Sequence, residues 1–222
     1  SEMCIRDSSM DEFFVNSIIK HPDFIEQICL QLRFWILKGS TFEDVYRQIE
    51  EFEILSMMLP LKMNDVAEKK MYNFESKRLY EVYMLYDYLA RDSITIEEMH
   101  QILFNNFIYD TQNMGDDNFI VSTFQYCMGR NPTAYELSAG KKMINGFSSY
   151  LFYKQGESKS DYLNIITSNN NFYEHQVNFW YYYFQLEFPS KEKANEILVQ
   201  TKDFYGFISS KNIIKYILLN EK

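Results

Sequence analysis

The chain has 222 residues, with 22 Lys and Arg against 31 Asp and Glu, a formal charge of −9 and 18% aromatic residues. Such acidity disfavours a nucleic-acid partner, because phosphate binding needs a basic stripe, and a chain this aromatic is too hydrophobic to stay disordered. With only 7 Gly and 4 Pro it favours long regular elements over a turn-rich β architecture, and no apolar run reaches the length that crosses a membrane.

Residues 1–8, SEMCIRDS, back-translate in one frame to a transposon-end sequencing adapter. They are set aside as a processing scar, and the natural chain is expected from near Ser9. Ser9 and Glu12 have capping-box spacing, which predicts a helix to about Lys20. His21-Pro22 breaks it and opens a second helix, with Ile25, Ile28, Leu32 and Trp35 on its inner face and Gly39 at its end. Ser40 with Glu43 forms another box, for a helix that turns Phe42, Val45, Ile49 and Phe52 inward and stops before Pro60. A long helix is expected from Asn64 or Asp65 to about Arg91, and Thr95 with Glu98 opens the next, to about Asn106.

Tyr109 to Asp117 reads as a polar loop. Asp117 or Asn118 then caps a helix whose inner face is Ile120, Phe124, Cys127 and Met128, and Gly129 ends it in the left-handed conformation. Thr133 with Glu136 boxes a helix to about Ile144. Residues 147–157 read as an irregular connection tucked against the core by Tyr150, Leu151, Phe152 and Tyr153, and Ser158 caps a short helix to Ser168. Asn171 to Ser190, NFYEHQVNFWYYYFQLEFPS, is the most aromatic run. Tyr173, Val177, Trp180 and Phe184 share one helical face and Phe172, Phe179 and Tyr183 the next, so this helix is packed on more than one side. A helix from Ser190 to about Lys202 and a last one from Ser210 complete the chain. Clean period-two alternation is absent, so the reading is all-α, an array of about ten to eleven short and medium helices.

An internal repeat is expected. Phe124 to Thr133 aligns with Tyr181 to Ser190: an aromatic helix end, a proline, a hydroxyl cap. Ser158-Lys159 before Ile165-Ile166 aligns with Ser210-Lys211 before Ile217-Leu218. The chain therefore divides into the scar (1–8), an N-terminal helical region (9–106) and a repeat region (107–222). The two copies cover about 118–171 and 172–222, and the second is expected to be cut short. A weaker third copy is read at Ile18-Ile19 and Phe24 to Glu26.

The block Tyr109-Asp110, Asn113-Met114-Gly115, Asn118-Phe119, Ser122, Phe124, Gly129-Arg130, Pro132-Thr133, Glu136-Leu137 resembles one in uncharacterised all-helical repeat proteins of the Gram-negative cell envelope. Ser158-Lys159 and Phe172 to Glu174 resemble its continuation, so the likeness spans Tyr109 to Lys222. It implies a cell-envelope or secreted setting and no established activity. Leu186-Glu187 stands where the first copy has Gly129-Arg130, a departure from the pattern.

Catalytic and metal chemistry finds no constellation. The acidic loop from Asp110 carries Gln112, Met114 and Val121 where an EF-hand needs oxygen ligands. Glu97 and His100 make one E-x-x-H where a di-iron bundle needs two. His21 and His175 lack metal spacing to a cysteine. Cys29 and Cys127 read as two buried thiols. No cofactor, metal or catalytic residue is therefore expected. Arg130 is the charged residue placed to meet a carboxylate, in the chain or on a partner. Tyr181 and Tyr182 are read as exposed members of the aromatic run, available to a protein or a sugar. The expected function is a non-catalytic interaction or scaffolding module of an envelope protein, with a protein partner. Carbohydrate binding through exposed aromatics and a fragment of a larger helical enzyme are the alternatives.

Overall fold

The structure, a computed structural model, describes residues 11–59 and 65–220. Those residues form thirteen helices and one small hairpin: α1 (11–18), α2 (Pro22–Ile36), α3 (Phe42–Met58), α4 (Asp65–Tyr83), α5 (Leu85–Ala90), α6 (Ile96–Phe104), α7 (Phe107–Gln112), α8 (Asp116–Met128), α9 (Ala134–Ile144), β1 (Ser149–Leu151), β2 (Lys154–Gly156), α10 (Lys159–Thr167), α11 (Asn170–Gln185), α12 (Lys191–Gln200) and α13 (Ser210–Asn220). The fold class is all-α. The box at Ser9 and the helix start at Asn64 fall outside the described residues, as does Pro60.

Helix starts follow side-chain capping. His21 caps α2 with Pro22 at the first helical position. Thr95 with Glu98 and Thr133 with Glu136 close full capping boxes. The box on α3 sits one residue later than expected, on Thr41 and Asp44. The Ser40 hydroxyl is already spent, donating to the Leu37 carbonyl at the end of α2. Gly129 ends α8 at φ 63°, and Leu186 ends α11 at nearly the same angles, φ 60°.

Four further expectations are corrected. The long helix breaks at Met84 (φ −86°, ψ 3°) into α4 and α5. The supposed loop at Tyr109 contains α7, because Asn106 caps it and the Tyr109 ring is fully buried. Helix α8 starts at Asp116 after Gly115, with no side-chain cap, so Asp117 and Asn118 lie inside it. Residues 147–157 hold an antiparallel hairpin that pairs Ser149 with Gly156 and Leu151 with Lys154. Its Leu151 is buried while Tyr153 stands free in solvent.

One asparagine joint recurs. Asn106 donates to the carbonyls of Ile102 and Leu103 at the end of α6 and accepts from the Tyr109 N–H at the start of α7. Asn169 does the same between α10 and α11, donating to Ile165 and Ile166 and accepting from Phe172. Asn220 donates to the Tyr216 carbonyl at the end of α13. The hydroxyl that caps α13 is Ser209, whose Oγ accepts from the Asn212 N–H.

A continuous apolar core runs from Ile25 on α2 to Ile217 on α13, with Trp180, Phe172, Tyr162, Phe104 and Phe124 at its centre. Burying such rings contributes about 2 kcal/mol each. Polar groups lock the layers: Arg78 on α4 binds Glu75, the Asn105 carbonyl and Asp110, and Lys159 on α10 reaches the other Asp110 oxygen at 2.6 Å.

Candidate functional site

Helices α2, α6, α7, α8 and α11 leave a half-open cleft of about 650 Å³ between them. Trp35 of α2 and Phe179 of α11 meet edge to face at one wall, with centroids 6.3 Å apart. Trp35 was expected on the inner face of α2; it is half exposed because its ring lines this opening. His100, from α6, and His175 and Gln176, from α11, form the floor.

Polar atoms in the floor have fixed roles. His100 Nδ1 lies 2.7 Å from the Ile96 carbonyl, so it carries the proton and Nε2 is left as an acceptor. Gln176 Oε1 accepts from the Trp180 indole at 2.9 Å, which leaves its Nε2 directed at His100 Nε2, 3.5 Å away. Burial pushes the pKa of both imidazoles down to about 4, and for His175 the neighbouring His100 adds to the effect. Both rings are therefore neutral at pH 7. His175 packs on Gly129, where a Cβ would come within 2.8 Å of its ring.

Two residues that line the cleft each carry a buried side-chain atom with no hydrogen-bond partner among the described residues: Gln112 its Oε1 and His175 its Nδ1. The amide of Gln112 cannot be turned to relieve this. Its Nε2 donates to the Leu37 carbonyl at 3.0 Å, and a flip would set two oxygens against each other. Among the described residues Lys38 is the one charged residue of the lining, and no carboxylate belongs to it.

The residues singled out by sequence fall elsewhere. Arg130 makes a two-point bond to Glu136, at 2.8 and 2.7 Å, so its carboxylate partner is within the chain. That bond, ahead of the Thr133 cap, holds the Glu136 carboxyl down at about 2. Tyr181 is buried, against the expectation of an exposed ring, because the α11 face that carries it turns toward the core. Tyr182 is half exposed and stacks on Phe188 at 4.8 Å. Glu97 and His100 diverge: Glu97 accepts from the Ser210 backbone N–H, and His100 points into the cleft floor. Among the described residues no cluster of His, Cys, Asp and Glu could hold a metal ion. Cys29 and Cys127 are free and buried, and burial raises both thiols, Cys29 to about 12.

Sequence reasoning missed two features. The cleft draws its residues from five helices and leaves no local signal. The connectors do leave one: Phe147, Tyr150 and Tyr153 between α9 and α10, and Phe204, Tyr205 and Phe207 between α12 and α13, are all exposed. The second connector is held by Asp203, whose side chain accepts from the N–H groups of Tyr205 and Phe207. Among the described residues no helix is long and apolar enough to cross a membrane. No protein-family model matches the chain, and no curated protein or solved structure compared with it is similar.

Proposed function

We propose that the chain is a non-catalytic helical interaction module of a bacterial cell-envelope protein, built on an internal repeat and binding a protein partner through its aromatic connectors. The repeat reading is supported by matched joints. Thr95 and Ser158, then Asn106 and Asn169, pair at one offset, since 158 − 95 and 169 − 106 both give 63. Gly129 and Leu186, then Thr133 and Ser190, pair at 57. The six-residue difference falls where the first unit spends two helices, α7 and α8, on what the second does with α11 alone. Ser209, just ahead of α13, and Asn220, at its end, repeat the 11-residue cap-to-asparagine spacing of Ser158 and Asn169.

The observation that carries the binding reading is the pair of connectors. In repeat register they occupy the same place, after α9 and after α12, and each presents three exposed rings. Leaving six rings in water forgoes on the order of 10 kcal/mol of burial. Connectors are where binding residues concentrate, and aromatic rings are the residues that most often anchor an interface. The envelope setting rests on the resemblance of Tyr109 to Lys222 to helical envelope repeats. Replacing Phe204, Tyr205 and Phe207 together by serine tests the reading. It is expected to abolish co-purification of envelope partners while Tm stays within about 2 °C, as for surface changes. Undiminished capture by the triple variant overturns it.

A further inference from the structure

From the cleft between α2, α8 and α11 we infer a second binding site, for an uncharged, hydroxyl-rich ring of one or two sugar units. It is independent of the connectors and uses different residues.

The size suits this class: about 650 Å³ lies within the range of small-ligand sites. The hydrogen-bond inventory sets the polarity of the ligand. Gln112 Oε1 is buried, fixed as an acceptor and unfilled. At the rim Asn118 is fixed the same way: its Nδ2 donates to the Met114 carbonyl at 2.9 Å, which turns Oδ1 outward. A ligand that answers these oxygens must bring O–H or N–H donors. His175 Nδ1 is also unfilled, and as part of a neutral imidazole it either donates or accepts, depending on the tautomer. Hydroxyl groups satisfy both kinds of atom, because each donates once and accepts twice.

Charge narrows the class further. The molecule carries −9 overall, yet among the described residues no carboxylate lines this cleft and Lys38 does. An amine brought into the cleft would lose water, find no counter-charge and meet the Lys38 ammonium. Donors on an uncharged framework are thus preferred over donors on a cation. The corner made by Trp35 and Phe179 gives the ring's C–H face an apolar wall, while the floor holds its hydroxyls. An unfilled buried acceptor costs the free protein stability, and a bound hydroxyl recovers that cost, so affinity and stability should rise together.

The test is a titration of the full chain with glucose, galactose, N-acetylglucosamine and, as the cationic comparison, glucosamine. Tryptophan fluorescence and saturation-transfer NMR are read in parallel. Trp35 is the half-exposed indole and Trp180 the fully buried one, so the optical signal reports on the cleft wall. At least one neutral sugar is expected to give a saturable change that raises Tm. Glucosamine is expected to bind more weakly than N-acetylglucosamine. Gln112→Met should weaken that binding about tenfold, the cost of one buried hydrogen bond. Asn118→Ala, at the exposed rim, leaves the fold intact and should weaken it several-fold. The inference is overturned if no neutral sugar saturates, if glucosamine binds more tightly, or if Asn118→Ala binds with wild-type affinity.

Discussion

Leu186 ends α11 and Gly129 ends α8 in the same left-handed conformation, and exchanging their side chains should move stability in opposite directions. Leu186 sits at φ 60°, ψ 18°, and Gly129 at φ 63°, ψ 19°. A side chain in this region costs about 1–2 kcal/mol through the clash of Cβ with the backbone. Glycine removes that cost but gains about 0.4–1 kcal/mol of unfolded-state freedom. Leu186 is 80% exposed, so truncating it loses little burial. Leu186→Gly should therefore stabilise by about 0.5–1 kcal/mol. At Gly129 a Cβ adds a collision to the strain, 2.8 Å from His175 Cδ2 and 3.1 Å from Nε2. Gly129→Ala should cost about 2 kcal/mol. Urea denaturation at pH 7, followed by helical circular dichroism, measures both. With m near 2–3 kcal/mol/M the Leu186→Gly midpoint rises by about 0.3 M and the Gly129→Ala midpoint falls by about 0.8 M. A lower midpoint for Leu186→Gly, or none lost in Gly129→Ala, would refute the argument.

Three further outcomes are expected. Arg33 is buried with Nε and Nη1 unpaired among the described residues, and its charge rests on the Phe42 ring 3.6 Å away. Arg33→Met should leave stability unchanged or raise it by about 1 kcal/mol, because removing a buried unpaired charge offsets the lost ring contact; a thermal melt that falls by several degrees contradicts this. His100 is held neutral down to about 4 against an ordinary 6.5. The unfolded chain takes up that proton first, so stability declines as pH drops from about 6.5 toward 4, by on the order of 3 kcal/mol from His100 and a similar amount from His175, which is shifted alike; chemical denaturation across that window should show the decline, and a His100→Gln variant should lack about half of it. Asn106→Ala and Asn169→Ala each remove a cap and two carbonyl bonds and should each cost about 2 kcal/mol. If only one of the pair matters, the two joints are not equivalent.

Much of the helical skeleton was legible because capping chemistry is local. Thr95, Thr133 and Ser158 cap the helices that their spacing announced, and Gly129 ends α8 as placed. The misses have physical causes. Thr41 replaced Ser40 because the preceding helix end took the Ser40 hydroxyl. Helix α7 was hidden by its polar composition, although Asn106 followed three residues on by Tyr109 is the same signal as Asn169 followed by Phe172. Strands of three residues in β1 and β2 are too short for alternation to register. On α11, Tyr181 and Tyr182 are adjacent in sequence, and only the neighbours of the helix decide which ring is covered. The cleft was not legible at all. Its unfilled atoms are defined by what Gln112 and His175 fail to meet after five helices have packed.

The most direct test of the proposed interaction module is site-specific photo-crosslinking from Tyr153 and Phe204, each replaced in turn by a benzophenone amino acid, in intact envelopes. If the proposed repeat holds, connectors in the same register should reach one partner, so both positions are predicted to trap the same protein. Crosslinks to unrelated proteins from the two positions, or none from either, would contradict the account.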